Sequence, residues 1–472
     1  MLKLIVDLQN MSSSQATPSL QVNISSKQIL AISLPIALAI LVPQINFVIN
    51  NIFLGALSEQ ALAIGGITGV FYLIFGVMGQ GLNNGLQALI SRRAGENRVD
   101  EIGILFSQGV IISIALSVIG ISFTYFVVPS IFHSLLQDQE RANTVIEFLK
   151  IRIWGLPFLF IYQMRNALLV GTNQSNFLII GTATEAIVNI FFDYSLIFGH
   201  FGFAKMGING AAYASIIAEV MGLLVIYLVI HYQKIGARFE LFKHFNLKWD
   251  YIKLILVQSA PIMTQYMISI ISWEFFYILI EHRGEQSLAV SNAMRNIFGF
   301  FGSFTWAFAA TSNTMVSNII GQNMEDKVIV LINKIVKWSF GFALAVCILL
   351  NVFAKPFLSI YGQGEGFMQE GIPVLRVVSI ALIFMSIATV WLNGVTGTGQ
   401  SKIYLGIEFV AIVIYLIYAY LTIEYYNLPI TIGWICEIIY WITLLIPSYW
   451  YIRSNRWKGQ KILLLIPEYL LA

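Results

Sequence analysis

The chain has 472 residues, of which 58% are hydrophobic and 11% charged, with a formal net charge of +3 and a mean hydropathy of +0.78. A soluble domain carries about 25% charged residues, so this composition describes a membrane protein and gives no case for nucleic-acid binding. The two cysteines, Cys347 and Cys436, fall inside apolar runs with no CxxC spacing, which argues against a disulfide framework or a zinc site.

In chain order, residues 9–28 are polar and poor in aromatics, and they read as the end of a flexible cytoplasmic tail, not a cleaved signal. Twelve apolar runs follow, at about 29–53, 62–90, 103–128, 145–168, 177–198, 208–231, 254–281, 287–314, 335–354, 373–394, 403–424 and 431–451. Roughly 20 residues at about 1.5 Å each cross a hydrocarbon core of about 30 Å. Runs this continuous satisfy their backbone as helices, whereas barrel strands alternate over about ten residues. The expected fold is an all-α integral membrane protein of twelve transmembrane helices. Its expected parts are a tail at 1–28, an N-lobe at 29–231, a cytoplasmic linker at 232–253, a C-lobe at 254–451 and a cytoplasmic C-terminal tail at 452–472. The segment "ILLLIPEYLLA" reads weakly as an amphipathic foot on the membrane.

Placing the N-terminus inside puts 18 of the 27 Lys and Arg residues at the cytoplasmic face, against 6 outside and 3 within spans. Outside fall Arg141, Lys150, Arg152, Lys205, Arg283 and Lys355; within spans fall Arg165, Arg295 and Arg376, with Arg165 near the inner surface, where it snorkels. Both termini are then cytoplasmic.

The endings "LISRRAGEN" and "MVSNIIGQN" belong to a repeat. Pro35 recurs as Pro261, Glu59 as Glu285, Gly95 and Asn97 as Gly321 and Asn323, Gly171 as Gly397 and Gly207 as Gly433, each at an offset of 226. Such echoes in one register make two homologous halves. With an even six spans apiece, the halves are parallel repeats about an axis along the membrane normal, which places a cavity between two lobes that rock against each other.

Ionisable residues near mid-span cost about 2.5–3.5 kcal/mol on insertion scales, so each is a functional candidate. On the fifth span, Glu185, Asn189 and Asp193 form a stripe of spacing four. It lines a transport cavity, or else Asp193 is solvated near the outer surface or caps the following turn. Glu219 on the sixth span either couples a cation or bonds between helices. Glu274 on the seventh and Arg295 on the eighth form either a coupling carboxylate with its regulator or a structural ion pair. Asp193, Glu185, Glu219 and Glu274 are the cation-coupling candidates. Glu408 and Glu437 lie nearer span ends and read as snorkelling or inter-helix groups. The cavity and substrate candidates are Asn46, Asn50 and Asn51 on the first span, Gln80, Asn83, Asn84 and Gln87 on the second, Asn189, Asn292 and Arg295. Among the aromatics, Tyr72, Trp273, Trp306 and Trp391 suit stacking on flat cations.

The proline of the first span in each half, "LGALSEQALA", "GQGLNNGLQALISRRAGEN", "LVGTNQS" and "MGINGAAYAS", in this order, resemble the multidrug and toxic compound extrusion (MATE) family over about residues 28–450. The resemblance implies a multi-pass plasma-membrane antiporter (inner membrane in a Gram-negative cell) that moves organic, often cationic drugs outward against H⁺ or Na⁺. It implies no other cofactor and no obligate protein partner. The chain departs from well-known bacterial branches: Asn50 stands where their first helix has an aspartate, the tenth span has no acid, and Glu274 is about five residues out of their register. Coupling by H⁺ through the fifth or seventh span is the preferred expectation. The alternative is a lipid-linked oligosaccharide flippase of the same superfamily, which favours a cationic cavity for pyrophosphate. The five histidines fall in loops or at span edges, and spans carry no nucleophile motif or phosphate loop, so no enzyme is expected.

Overall fold

The computed structural model describes residues 19–136, 138–241, 243, 245–362 and 364–459; the candidate foot at 462–472 and most of the N-terminal tail lie outside them. Within these residues the regular secondary structure is helical, with no strand. In the first half the long helices are α1 (Ser26–Leu57), α2 (Glu59–Gly95), α3 (Val99–Phe126), α4 (Gln139–Arg152 and Leu156–Gly171, joined by the 3-10 turn Ile153–Gly155), α5 (Leu178–Phe198) and α6 (Ile208–Tyr232). The second half repeats them as α7 (Trp249–Glu281), α8 (Glu285–Gly321), α9 (Val328–Val352), α10 (Glu365–Gly397), α11 (Ser401–Ala419, continued by the π turn Tyr420–Tyr425) and α12 (Ile435–Arg453). Ten of these helical stretches are long and apolar enough to cross a membrane by length and composition. The other two are α4, broken by its 3-10 turn, and α8, whose C-terminal half is rich in Ser, Thr and Asn.

The register of the repeat is kept in three dimensions. Both α2 and α8 have 37 residues, and their bounds differ by the same 226. Asn97 and Asn323, just past their ends, take the same left-handed conformation at φ 58° and 60°, which asparagine tolerates better than most residues. Local caps set the starts: the Ser58 hydroxyl accepts from the Ala61 N–H at 3.0 Å, and that of Ser25 from Gln28. Gly199, at φ 81°, ends α5.

The two halves meet along the ends of α2 and α8 nearest the termini. Asn84 Nδ2 donates to the Tyr266 hydroxyl at 2.8 Å, Asn313 Nδ2 to the Asn84 carbonyl at 3.0 Å, and the Ser317 hydroxyl to the Ala88 carbonyl at 2.6 Å. Helix approach there needs glycine. A Cβ on Gly95 would lie 2.1 Å from the Asn318 carbonyl oxygen, and one on Gly321 would lie 2.3 Å from that of Arg92. These two contacts are related by the repeat, which is why the chain writes the same ending twice. Along both helices burial follows the contact: Leu82, Leu86 and Ile90 are buried while Leu62, Val70 and Leu73 are exposed, and Met315 and Ile319 are buried while Phe300 and Trp306 are exposed.

Residues 19–25 run across this junction. Asn318 Nδ2 donates to the Leu20 carbonyl at 2.9 Å, the Val22 N–H to Asn318 Oδ1 at 3.1 Å, and Gln322 Nε2 to the Val22 carbonyl at 2.9 Å, all from the second half. From the first half, the Gly95 carbonyl accepts from Gln21 Nε2 at 2.9 Å. Leu20 and Val22 are buried between the halves.

Candidate functional site

The first half holds a polar array inside its helix bundle. Asn46 Nδ2 of α1 donates to Asn189 Oδ1 at 2.6 Å, and Asn189 Nδ2 donates to Asp193 Oδ2 at 3.0 Å. The second oxygen of Asp193 and the side-chain oxygens of Asn46 and Asn50 are buried without a hydrogen-bond partner among the described residues. Oxygens of this kind are ligands for a hard monovalent cation or acceptors for a proton-bearing group. Asp193 is fully buried, so it is neither solvated at the surface nor capping the turn that Gly199 ends.

Two turns below Asp193 along α5 is Glu185, and beside it lies an ion pair. Glu219 of α6 takes Arg152 of α4 in a fork, with Arg152 Nη2 at 2.5 Å from Oε1 and Nη1 at 3.1 Å from Oε2. Tyr72 of α2 closes the group: Arg152 Nη1 donates to its hydroxyl at 2.9 Å, and the guanidinium lies 3.7 Å from its ring centroid. The fork sits against the 3-10 turn of α4. A Cβ on Gly155 would be 2.2 Å from both Arg152 Nη1 and Glu219 Oε2, so this glycine makes the room in which the pair forms.

Two expectations are corrected here. Arg152, counted as an outside residue, is a partly buried member of the array, because it ends the first helical segment of α4 and finds Glu219 there. Arg165, expected to snorkel at the inner surface, is fully buried; its guanidinium lies over the Tyr162 ring at 3.8 Å and does not reach water. Charge counting by loop sees neither, since it assigns a side without seeing partners in other helices.

The remaining candidates fall elsewhere. Asn51 is half-buried on α1. Gln80 Nε2 donates to Asn84 Oδ1 at 3.2 Å, Gln87 Nε2 donates to the Thr314 hydroxyl at 2.5 Å, and Asn83 is buried, so the amides of α2 line the junction of the halves. Arg295 Nη2 meets Glu274 Oε1 at 2.9 Å and lies over the rings of Trp273 and Tyr277; Asn292, one turn away, is exposed. Glu408 is buried and does not snorkel: it accepts from the Ser269 hydroxyl at 3.0 Å and from Tyr440. Glu437 accepts from the Tyr415 hydroxyl at 3.3 Å. Among the described residues no group of three or more His, Cys, Asp or Glu side chains is placed to hold a metal ion.

The family model MatE matches residues 35–195 and again residues 261–421, one copy per half and in the register of the repeat. The chain belongs to the MatE family. A relative named a probable multidrug resistance protein NorM, from Thermotoga maritima, is 24% identical over 88% of this chain and 89% of its own length. Solved structures share the fold. A MATE protein in complex with MaL6 has a TM-score of 0.86 at 20% identity, covering 93% of this chain and 98% of its own. An outward-facing conformation of a multidrug resistance MATE family transporter gives 0.84 at 19%, covering 94% and 98%. The chain is thus a multi-pass membrane transporter of the MatE family.

Proposed function

We propose that this MatE-family chain is a secondary active multidrug exporter that moves organic, often cationic compounds out of the cell against inward H⁺, by alternating access through its two lobes. The observation that supports it best is the array of three carboxylates inside one lobe, Glu185 and Asp193 on α5 and Glu219 on α6, with Asn189 of α5 linking Asp193 to Asn46 of α1. A carboxylate held among helices exchanges a proton for a cation because burial disfavours leaving it bare. The orientation set by the Lys and Arg residues puts both termini in the cytoplasm of a plasma membrane. The junction of α2 with α8 then closes the cytoplasmic side, the outward-facing half of such a cycle. The array admits Na⁺ as well, through the free oxygens of Asn46, Asn50 and Asp193.

The reading is tested by loading proteoliposomes with a fluorescent organic cation and imposing either a pH gradient or a Na⁺ gradient. The expected result is efflux driven by the pH gradient, lost by tenfold or more in Glu185→Gln and in Asp193→Asn. Transport by neither gradient, with movement of a lipid-linked sugar instead, would overturn it. The two arginines inside the first lobe are the feature that favours that flippase alternative.

A further inference from the structure

Glu185 and Arg165 are two opposite charges that lie one helical turn apart without pairing. All three guanidinium nitrogens of Arg165 are buried and lack a hydrogen-bond partner among the described residues, as does the hydroxyl of Tyr162 beneath them. The side chain is fully buried, and it rests on the backbone of α5: the Cβ position of Gly181 is 3.1 Å from Nη2 and 3.2 Å from Nη1. Glu185 is the next residue on that face of α5. Its carboxylate makes no hydrogen bond among the described residues, and its own Cβ packs 3.1 Å from the Cβ position of Gly222 on α6. Helical side chains lean back over the preceding turn, and Cβ atoms four residues apart are about 5–6 Å from one another. A rotamer change of Glu185 therefore brings its carboxylate onto the open face of Arg165.

Resting on the proton-coupled reading above, we propose that Arg165 is the internal cation of the first lobe, which takes the Glu185 carboxylate when the coupling ion leaves and gives it up when that ion returns. An antiporter has to empty its ion site without leaving a bare charge in a low-dielectric interior, where an uncompensated ion is costly. The other charged group near Glu185 on α4 is already committed, and the Tyr162 hydroxyl carries no charge to offer it. On α4, Arg152 is forked to Glu219 of α6 and to Tyr72 of α2. Tyr227 of α6 faces Arg165, and α1 brings no titratable side chain except Lys27 at its end. Arg165 is left as the cation with free donors, and it is one turn from the carboxylate that needs them.

The test compares proton-driven transport by wild type, Arg165→Gln and Arg165→Lys across a series of pH values on the ion-release side. Without its arginine Glu185 holds the proton longer, so the Arg165→Gln profile is expected to move toward alkaline release-side pH by about one to three pH units, the size of losing a nearby opposite charge. Arg165→Lys keeps the charge and restores most of the wild-type profile. A wild-type profile in Arg165→Gln, alongside loss of coupling in Glu185→Gln, would overturn the internal cation while leaving the exporter intact. Unchanged coupling in Glu185→Gln would instead overturn the placement of the ion on α5. If Arg165→Gln does not fold, Arg165→Lys carries the test: a loss of transport at every pH would show that Arg165 is purely structural.

Discussion

At Gly155 an added Cβ would strike both Arg152 and Glu219, so the ion pair in the polar array of the first lobe depends on a residue without a side chain. Removing one partner from such a pair leaves an uncompensated charge, at a cost of about 3–5 kcal/mol. Glu219→Gln is expected to lower stability by about that amount, seen as earlier thermal unfolding in detergent. Replacing both residues, as Arg152→Gln with Glu219→Gln, should recover much of it, and equal losses in the single and double variants would show that the cost does not come from the charge left behind. Glu219 was legible in the sequence because an acid at mid-span is conspicuous. Arg152 was not, since its partner lies 67 residues away on another helix, and side counting placed it in the outer loop. The same limit hid Arg165, whose burial depends on Tyr162 and on the absent side chain of Gly181.

Among the elements, α2 and α8 show what a repeat in sequence does and does not reveal. The offset of 226 paired their final glycines, while their equal lengths of 37 residues appear only in the structure, since the apolar runs at 62–90 and 287–314 are shorter and unequal. It could not show that each glycine sits on a carbonyl of the opposite helix, nor that residues 19–25 cross the junction. Polar residues in the second span read as a wet cavity wall, yet Asn84 and Gln87 bond across to the second half. A row of amides has the same spacing in both settings. The crossing segment is held by several hydrogen bonds worth about 0.5–1.5 kcal/mol each, enough together to bias an equilibrium between two lobe arrangements. Asn318→Ala combined with Gln322→Ala removes three of the bonds from the second half. With spin labels at the exposed positions Asp100 and Lys327, in a background lacking both cysteines, electron–electron distance measurements should show a broader and longer distribution than in the parent. An unchanged distribution would mean that the segment does not hold the lobes together.

Across the whole molecule, a backbone repeat carries chemistry that is not repeated. Glu185, Asn189 and Asp193 of α5 correspond, at the same offset, to Ala411, Tyr415 and Ala419 of the second half. That half keeps its own buried acids, Glu408 and Glu437, at other positions and bonds them to Tyr440, Ser269 and Tyr415, with Glu408 Oε2 left without a hydrogen-bond partner among the described residues. The fold, the number of helices and the candidate acids could all be read from apolar runs and rare charges. The unequal roles of the lobes could not, because they lie in who partners whom. On the function proposed above, the first lobe carries the coupling ion. This is tested most directly by adding a cationic cargo to purified protein in weakly buffered detergent and recording proton release. Release is expected from wild type and from Glu408→Gln, with its loss in Glu185→Gln combined with Asp193→Asn. Release that persists in that double variant but disappears in Glu408→Gln would contradict it and move coupling to the second lobe.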